Sequence, residues 1–258
     1  MEYKKNKTVF LTGATKGLGK LLAQSLYREG FTIIASDLNP QEEVPEQVAA
    51  LFHDYFAFDL SNTEKIGELA ERIISRYKID ILINNAAILD FRFLSGYDDH
   101  EIERTVRVNL VSAILLVKNF MPHFIENNYG RIINISSSSS FRGFETGTVY
   151  TSTKAGLNLF KESFHKELRI LRNKKGVDIT INNVCPSRIN TEEYLAENPE
   201  VDPGSLISPE RVFLAIRKLI DSGQSGRMVT IFDPKFRRKL LKKDIQRFFK
   251  THFFSFVS

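Results

Sequence analysis

Cysteine is nearly absent: Cys185 is the only one in 258 residues. A single thiol excludes an internal disulfide framework and any multi-cysteine zinc or iron–sulfur site. The five histidines, His53, His100, His123, His165 and His252, are scattered without metal-ligand spacing. No run of about 18 apolar residues occurs, so no transmembrane helix is expected. The polar opening segment lacks the apolar stretch of a secretory signal. With the lone thiol, this points to a reducing cytoplasm. No internal repeat or low-complexity linker interrupts the chain, apart from Ser136 to Ser140.

What is present is ordinary globular composition, 42% hydrophobic and 26% charged, which excludes disorder for most of the chain. The net charge of +5 is unevenly placed. Residues 234–258 hold eight Lys and Arg against one Asp, a local charge of +7, so the other 233 residues together carry −2. A nearly neutral body argues against a nucleic-acid partner. Two segments follow: a domain over 1–233 and a basic, Phe-rich extension over 234–258.

Apolar β-branched runs alternate with stretches of helical period. Thr8–Leu11, Phe31–Ala35, Tyr55–Phe58, Ile79–Ile83, Arg131–Ile135, Asp178–Val184 and Met228–Phe232 read as seven strands. Helical spacing separates them, as in Leu18, Leu21, Leu22 and Leu26, or in a long stretch from Asp99 to Asn127. Continuous apolar strands are buried on both faces, and helices between them imply a parallel sheet covered on each side. The expected fold is a single doubly wound α/β domain of the Rossmann type.

The first strand runs into Thr12-Gly13-Ala14-Thr15-Lys16-Gly17-Leu18-Gly19 and then a helix. Glycines allow a tight turn and close backbone approach by a diphosphate, while the helix N-terminus supplies free N–H groups and the positive end of its dipole. Asp37 closes the second strand, 24 residues after Gly13. A carboxylate there accepts hydrogen bonds from both hydroxyls of an adenosine ribose and repels a 2′-phosphate, which favours NAD over NADP. Further on, Tyr150 and Lys154 stand at i, i+4 on a helix, side by side on one face. A free phenol has a pKa near 10, too high for easy proton exchange, and a cation one turn away is expected to lower it. Ser137 ends the fifth strand, 13 residues before Tyr150. Cys185 reads as a small buried residue, with no histidine near it in sequence.

The glycine string, of the pattern Thr-Gly-x-x-x-Gly-x-Gly, resembles the fingerprint of the short-chain dehydrogenase/reductase family, single-domain branch. So do Asn85-Ala86-Ala87 after strand four, Asn109 in Val108-Asn109-Leu110, the lead-in Gly130 to Ser137, Tyr-x-x-x-Lys at 150–154, and Asn182 to Thr191. The resemblance covers roughly residues 7–233. It implies an NAD(P)-dependent oxidoreductase acting on a CH–OH group. Tyr150 exchanges a proton with the substrate oxygen, and Lys154 lowers its pKa and bonds the nicotinamide ribose. Ser137, preferred to Ser138 on its spacing, holds the substrate oxygen, and Asn109 supports a water linking Lys154 to solvent. The implied cofactor contacts are Gly13, Thr15, Lys16, Gly17, Leu18, Gly19, Asp37, Asp59, Leu60, Asn85, Ala86, Tyr150, Lys154, Pro186, Ile189 and Thr191. Asp59 faces the adenine amino group, and the backbone of Ile189 faces the carboxamide. Lys16 points to NADP, since a basic residue there often accompanies it in the family; Asp37, at the 2′ position itself, outweighs it, with NADP as the second option. Two departures stand out: Ala87 replaces a glycine after strand four, and Ser187 replaces one in the downstream segment.

Arg92, Arg142, Arg188 and the acidic segment Thr191 to Ile207 suggest a polar alcohol or ketone as substrate. A nucleotide-sensing binding protein without turnover is the alternative. A homo-oligomer, dimer or tetramer, is expected. In the extension, Leu241, Ile245, Phe248, Phe249 and His252 share one helical face, with basic residues largely opposite. That pattern suits packing on the body or a second subunit, and also contact with an anionic membrane surface.

Overall fold

The computed structural model describes residues 7–233. The basic extension from residue 234 lies outside them, and with it the readings placed on that segment.

Strand β1 (Thr8–Thr12) leads into helix α1 (Gly17–Arg28), and β2 (Thr32–Asp37) follows. A short α2 (Glu46–Ala49) precedes β3 (Asp54–Ala57), and α3 (Ile66–Ile74) leads to β4 (Ile81–Asn84). Next comes a helix broken in its pitch: α4 (Asp99–Val106), a π-helical turn (Arg107–Val111) and α5 (Ser112–Glu126). The chain continues through β5 (Tyr129–Ile135), α6 (Thr148–Lys175), β6 (Asp178–Pro186), α7 (Glu192–Glu197), α8 (Pro209–Ser222) and β7 (Met228–Ile231).

The seven strands form one sheet in the order β3-β2-β1-β4-β5-β6-β7, every pairing parallel. This is the expected doubly wound arrangement. Side chains alternate between its two faces with the period of two that extended chain imposes. Val9, Leu11, Ile33, Ala35, Ile81, Ile83, Ile133 and Ile135 join a core with residues of α1 and α8. Their neighbours Phe10, Ile34, Leu82 and Ile132 join the opposite core, with residues of α3, α5 and α6. Both faces are covered, which is why β1, β2 and β4 read as largely apolar runs.

The helix Asp99–Glu126 is long and apolar enough to span a membrane by length and composition alone. Here Leu116, Val117, Phe120 and Phe124 bury it in the second core instead. Successive strands are added outward on one side of β1 as far as β3 and on the other side from β4, so the carboxyl ends of β1 and β4 open a crevice between them. Loops from β1, β2, β4, β5 and β6 converge there.

Candidate active site

The glycine loop is shaped by contacts that leave no room for side chains. Gly13 has φ +65°, and a Cβ on it would lie 2.8 Å from the Cα of Ala86. A Cβ on Gly19 would lie 1.7 Å from the Gly13 carbonyl oxygen. The loops after β1 and β4 are laced together at this point. Asn85 Nδ2 donates to the carbonyls of Thr12 and Gly13, each at 2.9 Å. Thr12 Oγ1 accepts from the amides of Asn85 and Ala86, each at 3.1 Å. The extra methyl of Ala87 is accommodated without a positive φ.

Asp37 reaches the same loop from the end of β2. Its Oδ2 accepts from Thr15 N at 2.9 Å and from Thr15 Oγ1 at 2.5 Å. The carboxylate thus stands directly beside the loop, whereas Lys16 is exposed. Asp59 accepts from Ser61 N at 2.9 Å and pairs with Arg104 Nη1 at 2.9 Å. Although partial burial opposes it, these bonds leave the Asp59 carboxyl below the usual range. Leu60 packs into the second core, and Leu18 packs against the first.

Across the crevice, Tyr150 and Lys154 lie in the first two turns of α6, both buried. The Lys154 ammonium stands 5.6 Å from the centre of the Tyr150 ring and donates to the carbonyl of Ile135 at 2.9 Å. Of the two adjacent serines it is Ser137 that acts on the Tyr150 phenol, favouring its charged form. Ser137 Oγ also accepts from Ser139 N at 3.1 Å and Ser139 Oγ at 2.8 Å.

Burial, not the cation, sets the charge states. Desolvation pushes the Tyr150 phenol up to about 12 against the pull of Ser137, and pushes Lys154 down to about 8. The expected lowering of the phenol by its neighbour is therefore not what this environment produces. Tyr150 stands protonated at neutral pH, the state of a proton donor. Burial likewise raises the Cys185 thiol to about 12, which excludes it as a nucleophile.

Asn109 sits in the π-helical turn and is buried. Its Oδ1 accepts from Ile88 N at 2.7 Å, and its Nδ2 donates to Ile88 O at 2.9 Å and to Thr153 Oγ1 at 3.4 Å. Those bonds fix the loop after β4, which carries Phe91. The Phe91 ring meets Tyr150 edge-on at 5.2 Å and Phe144 at 5.6 Å.

The downstream segment is held by its own contacts. Pro186 ends β6, and Ile189 forms a parallel bridge with Ile207. Thr191 Oγ1 accepts from Tyr194 N at 3.2 Å, so its hydroxyl caps α7. Ser187 Oγ accepts from Asp233 N at 2.8 Å, giving this serine a bond that the glycine it replaces could not make.

A family model described as short chain dehydrogenase matches residues 7–201. The chain belongs to the short-chain dehydrogenase family. It is 33% identical over 193 residues to a 3-oxoacyl-[acyl-carrier-protein] reductase of Buchnera aphidicola, covering 72% of this chain and 74% of that protein. It is 31% identical over 238 residues to epidermal retinol dehydrogenase 2 of Mus musculus, covering 88% and 74%. Among solved structures, a 3-oxoacyl (acyl-carrier-protein) reductase from Agrobacterium tumefaciens C58 with NADP bound shares the fold. Its TM-score is 0.78 at 22% identity, over 89% of this chain and 94% of that one. A 4-hydroxyisoleucine dehydrogenase complexed with NADH gives 0.77 at 24%, over 88% and 98%.

Within this short-chain dehydrogenase, sequence reading missed a row of buried amides. Asn84 Nδ2 donates to Asn134 Oδ1 at 2.9 Å, and Asn134 Nδ2 to Asn183 Oδ1 at 3.0 Å. Asn183 Nδ2 donates to Asn158 Oδ1 at 2.9 Å, and Asn158 Nδ2 to Ser140 Oγ at 2.7 Å. The row crosses β4, β5, β6 and α6 and ends on the serine loop beside Ser137. Each amide orients the next, because a flipped member would set donor against donor. The signal lay in the register, which pairs Asn84 with Asn134 and Asn134 with Asn183.

Arg92, expected to face an anionic group, is instead committed. Its Nη2 meets Asp90 Oδ2 at 2.5 Å and Glu101 Oε1 at 2.7 Å. Arg188 Nη2 lies 3.7 Å from Asp233 Oδ2, and Arg142 is exposed. Against Tyr150 lies the exposed Phe91, which in turn meets the exposed Phe144; Leu89, Phe93 and Leu94 of the loop after β4 are exposed as well.

Proposed function

We propose that the chain is a nicotinamide-dependent oxidoreductase that interconverts an alcohol and a ketone, with NAD(H) as the preferred cofactor. The observation that carries the reading is the buried constellation of Tyr150 and Lys154, the ammonium 5.6 Å from the ring centre, with Ser137 at the end of β5 acting on the phenol. The residues present fit a dinucleotide. The loop admits no Cβ at Gly13 or Gly19, the N-terminus of α1 faces the crevice, and Asp37 stands where the adenosine ribose would meet β2. When bound, the nicotinamide supplies or accepts the hydride. The chain's own groups do the rest. Ser137 orients the substrate oxygen, Tyr150 gives it a proton in the reductive direction, and Lys154 donates to the nicotinamide ribose. Asn109 holds the loop that presents Phe91.

The substrate side of this reading departs from the polar compound suggested by the arginines. With Arg92 held by two carboxylates and Phe91 on the edge of Tyr150, the surroundings favour a carbonyl flanked by an apolar or aromatic group. The names of two similar proteins, an acyl reductase and a retinol dehydrogenase, accord with that choice.

Two measurements bear on the cofactor. Asp37→Ala is expected to shift the ratio of NADH to NADPH affinity toward NADPH by about tenfold or more, since it removes both the ribose acceptor and the charge opposing a 2′-phosphate. Titration of each cofactor against both proteins reads this, and an unchanged ratio would show that Asp37 does not read the ribose. Affinity for NADH is also expected to weaken as pH rises through about 8, because Lys154 then loses the positive charge that strengthens its hydrogen bond to the ribose. The sign follows from the direction of the shift: burial lowers the lysine, so its charge is present below about 8 and gone above it. Lys154→Met should bind more weakly and show no such step.

A further inference from the structure

The first turn of α1 has no anion of its own. It contains no acidic residue, and its N-cap, Lys16, makes no side-chain capping bond. The acceptor comes from the other end of the chain instead. Glu193, in α7, reaches across the crevice, and its Oε1 accepts from Gly17 N at 2.9 Å. Beside it, Glu192 Oε2 pairs with Lys20 Nζ at 2.7 Å. Two adjacent carboxylates thereby dock the segment after β6 onto the positive end of α1.

The docked carboxylate is incompletely satisfied. Glu193 Oε2 is buried and has no hydrogen-bond partner. A carboxylate has about four acceptor sites, and here one oxygen is desolvated for nothing in return. Glu193 is thus a weak occupant of a position that suits a better-satisfied anion. The Gly17 amide belongs to the loop and helix end that favour a diphosphate.

We propose that Glu193 is a tethered competitor for the diphosphate of the dinucleotide, so that docking of α7 and cofactor binding exclude each other at Gly17. This rests on the dinucleotide reading of the crevice given above. Its consequence is that Glu193 sets cofactor affinity without touching the cofactor. While α7 is docked, the helix end cannot accept the diphosphate, and the apparent dissociation constant rises by the inverse of the undocked fraction. Binding must free α7 from α1, which couples cofactor entry to movement of the segment bordering the substrate side.

The test is calorimetric titration of NADH, ADP and adenosine against wild type, Glu193→Gln, Glu193→Ala and the control Glu197→Gln. Glu197 is exposed on the same helix. Removing the charge or the whole acceptor should tighten NADH and ADP by about tenfold, as expected for release of a mostly docked state. Adenosine, which has no phosphate to compete, should be unaffected, and Glu197→Gln should match wild type throughout. Unchanged or weaker ADP binding in both Glu193 variants would overturn the proposal, as would equal tightening of adenosine. ADP keeps the two readings apart. If ADP tightens while NADH binds no form of the protein, the competition stands and the nicotinamide reading falls.

Discussion

Replacing Tyr150 by Phe is expected to lower turnover by about 10²–10⁴-fold, the usual worth of a general acid–base, while leaving the cofactor dissociation constant within about twofold. The substitution removes one hydroxyl and keeps the ring. The ring's neighbours, Phe91 at 5.2 Å and the Lys154 ammonium at 5.6 Å, keep their packing. What is lost is the phenol hydroxyl and the proton that it donates. Because burial holds that phenol at about 12, it is fully protonated at neutral pH, so the loss should be as large at pH 6 as at pH 8. Single-turnover rates with saturating reduced cofactor separate this loss from any change in binding. Activity near that of wild type would remove Tyr150 from the mechanism.

The second large effect belongs to Gly19. Gly19→Ala would place a methyl carbon 1.7 Å from the Gly13 carbonyl oxygen and 2.8 Å from Asn85 Nδ2. The first of these neighbours is backbone, fixed by the Gly13 N to Ser36 O bond of 2.7 Å and by the Asn85 bond to the Gly13 carbonyl. It cannot swing aside as a flexible side chain would. Overpacking of this kind costs about 1–3 kcal/mol, or about 2–12 °C in Tm for a domain of this size. Cofactor affinity should fall by about tenfold or more, because the shift displaces the loop and the first turn of α1 together. Gly143→Ala is the matching control. A Cβ there meets nothing within 4 Å, and its backbone is not in the left-handed region. Equal behaviour of the two variants would show that the Gly13–Gly19 approach does not govern the cradle.

Both effects fall on residues that were visible in the sequence, and for a physical reason. A glycine string between an apolar strand and a helical period, or a Tyr and Lys four apart, are local patterns whose geometry follows from one element. The parallel sheet was legible in the same way, since Phe10 and its neighbours Val9 and Leu11 are apolar for opposite faces. Features built by distant segments were not. The bond from Gly17 to Glu193 spans 176 positions, and the amide row depends on strand register. The partners of Arg92, at Asp90 and Glu101, turned a candidate anion binder into a closed ion-pair group. The protonation of Tyr150 was misjudged because sequence shows the neighbouring cation but not the depth of burial that outweighs it. The π-helical turn at Asn109 had no sequence signature, since Val108 and Leu110 continue an unbroken helical pattern.

The central claim is that this constellation moves a hydride and a proton between a nicotinamide and an apolar carbonyl. The most direct measurement is the stoichiometry of NADH consumed and alcohol formed when the purified chain meets a series of alkyl and aryl ketones, with polyols and sugars assayed in the oxidative direction with NAD. The account requires equal amounts of cofactor oxidised and alcohol produced, faster turnover with apolar than with polyhydroxylated compounds, and none above background in Tyr150→Phe. NADH that binds tightly but is not consumed with any ketone, together with no oxidation of any polyol or sugar, would contradict it and leave a nucleotide-sensing protein in its place.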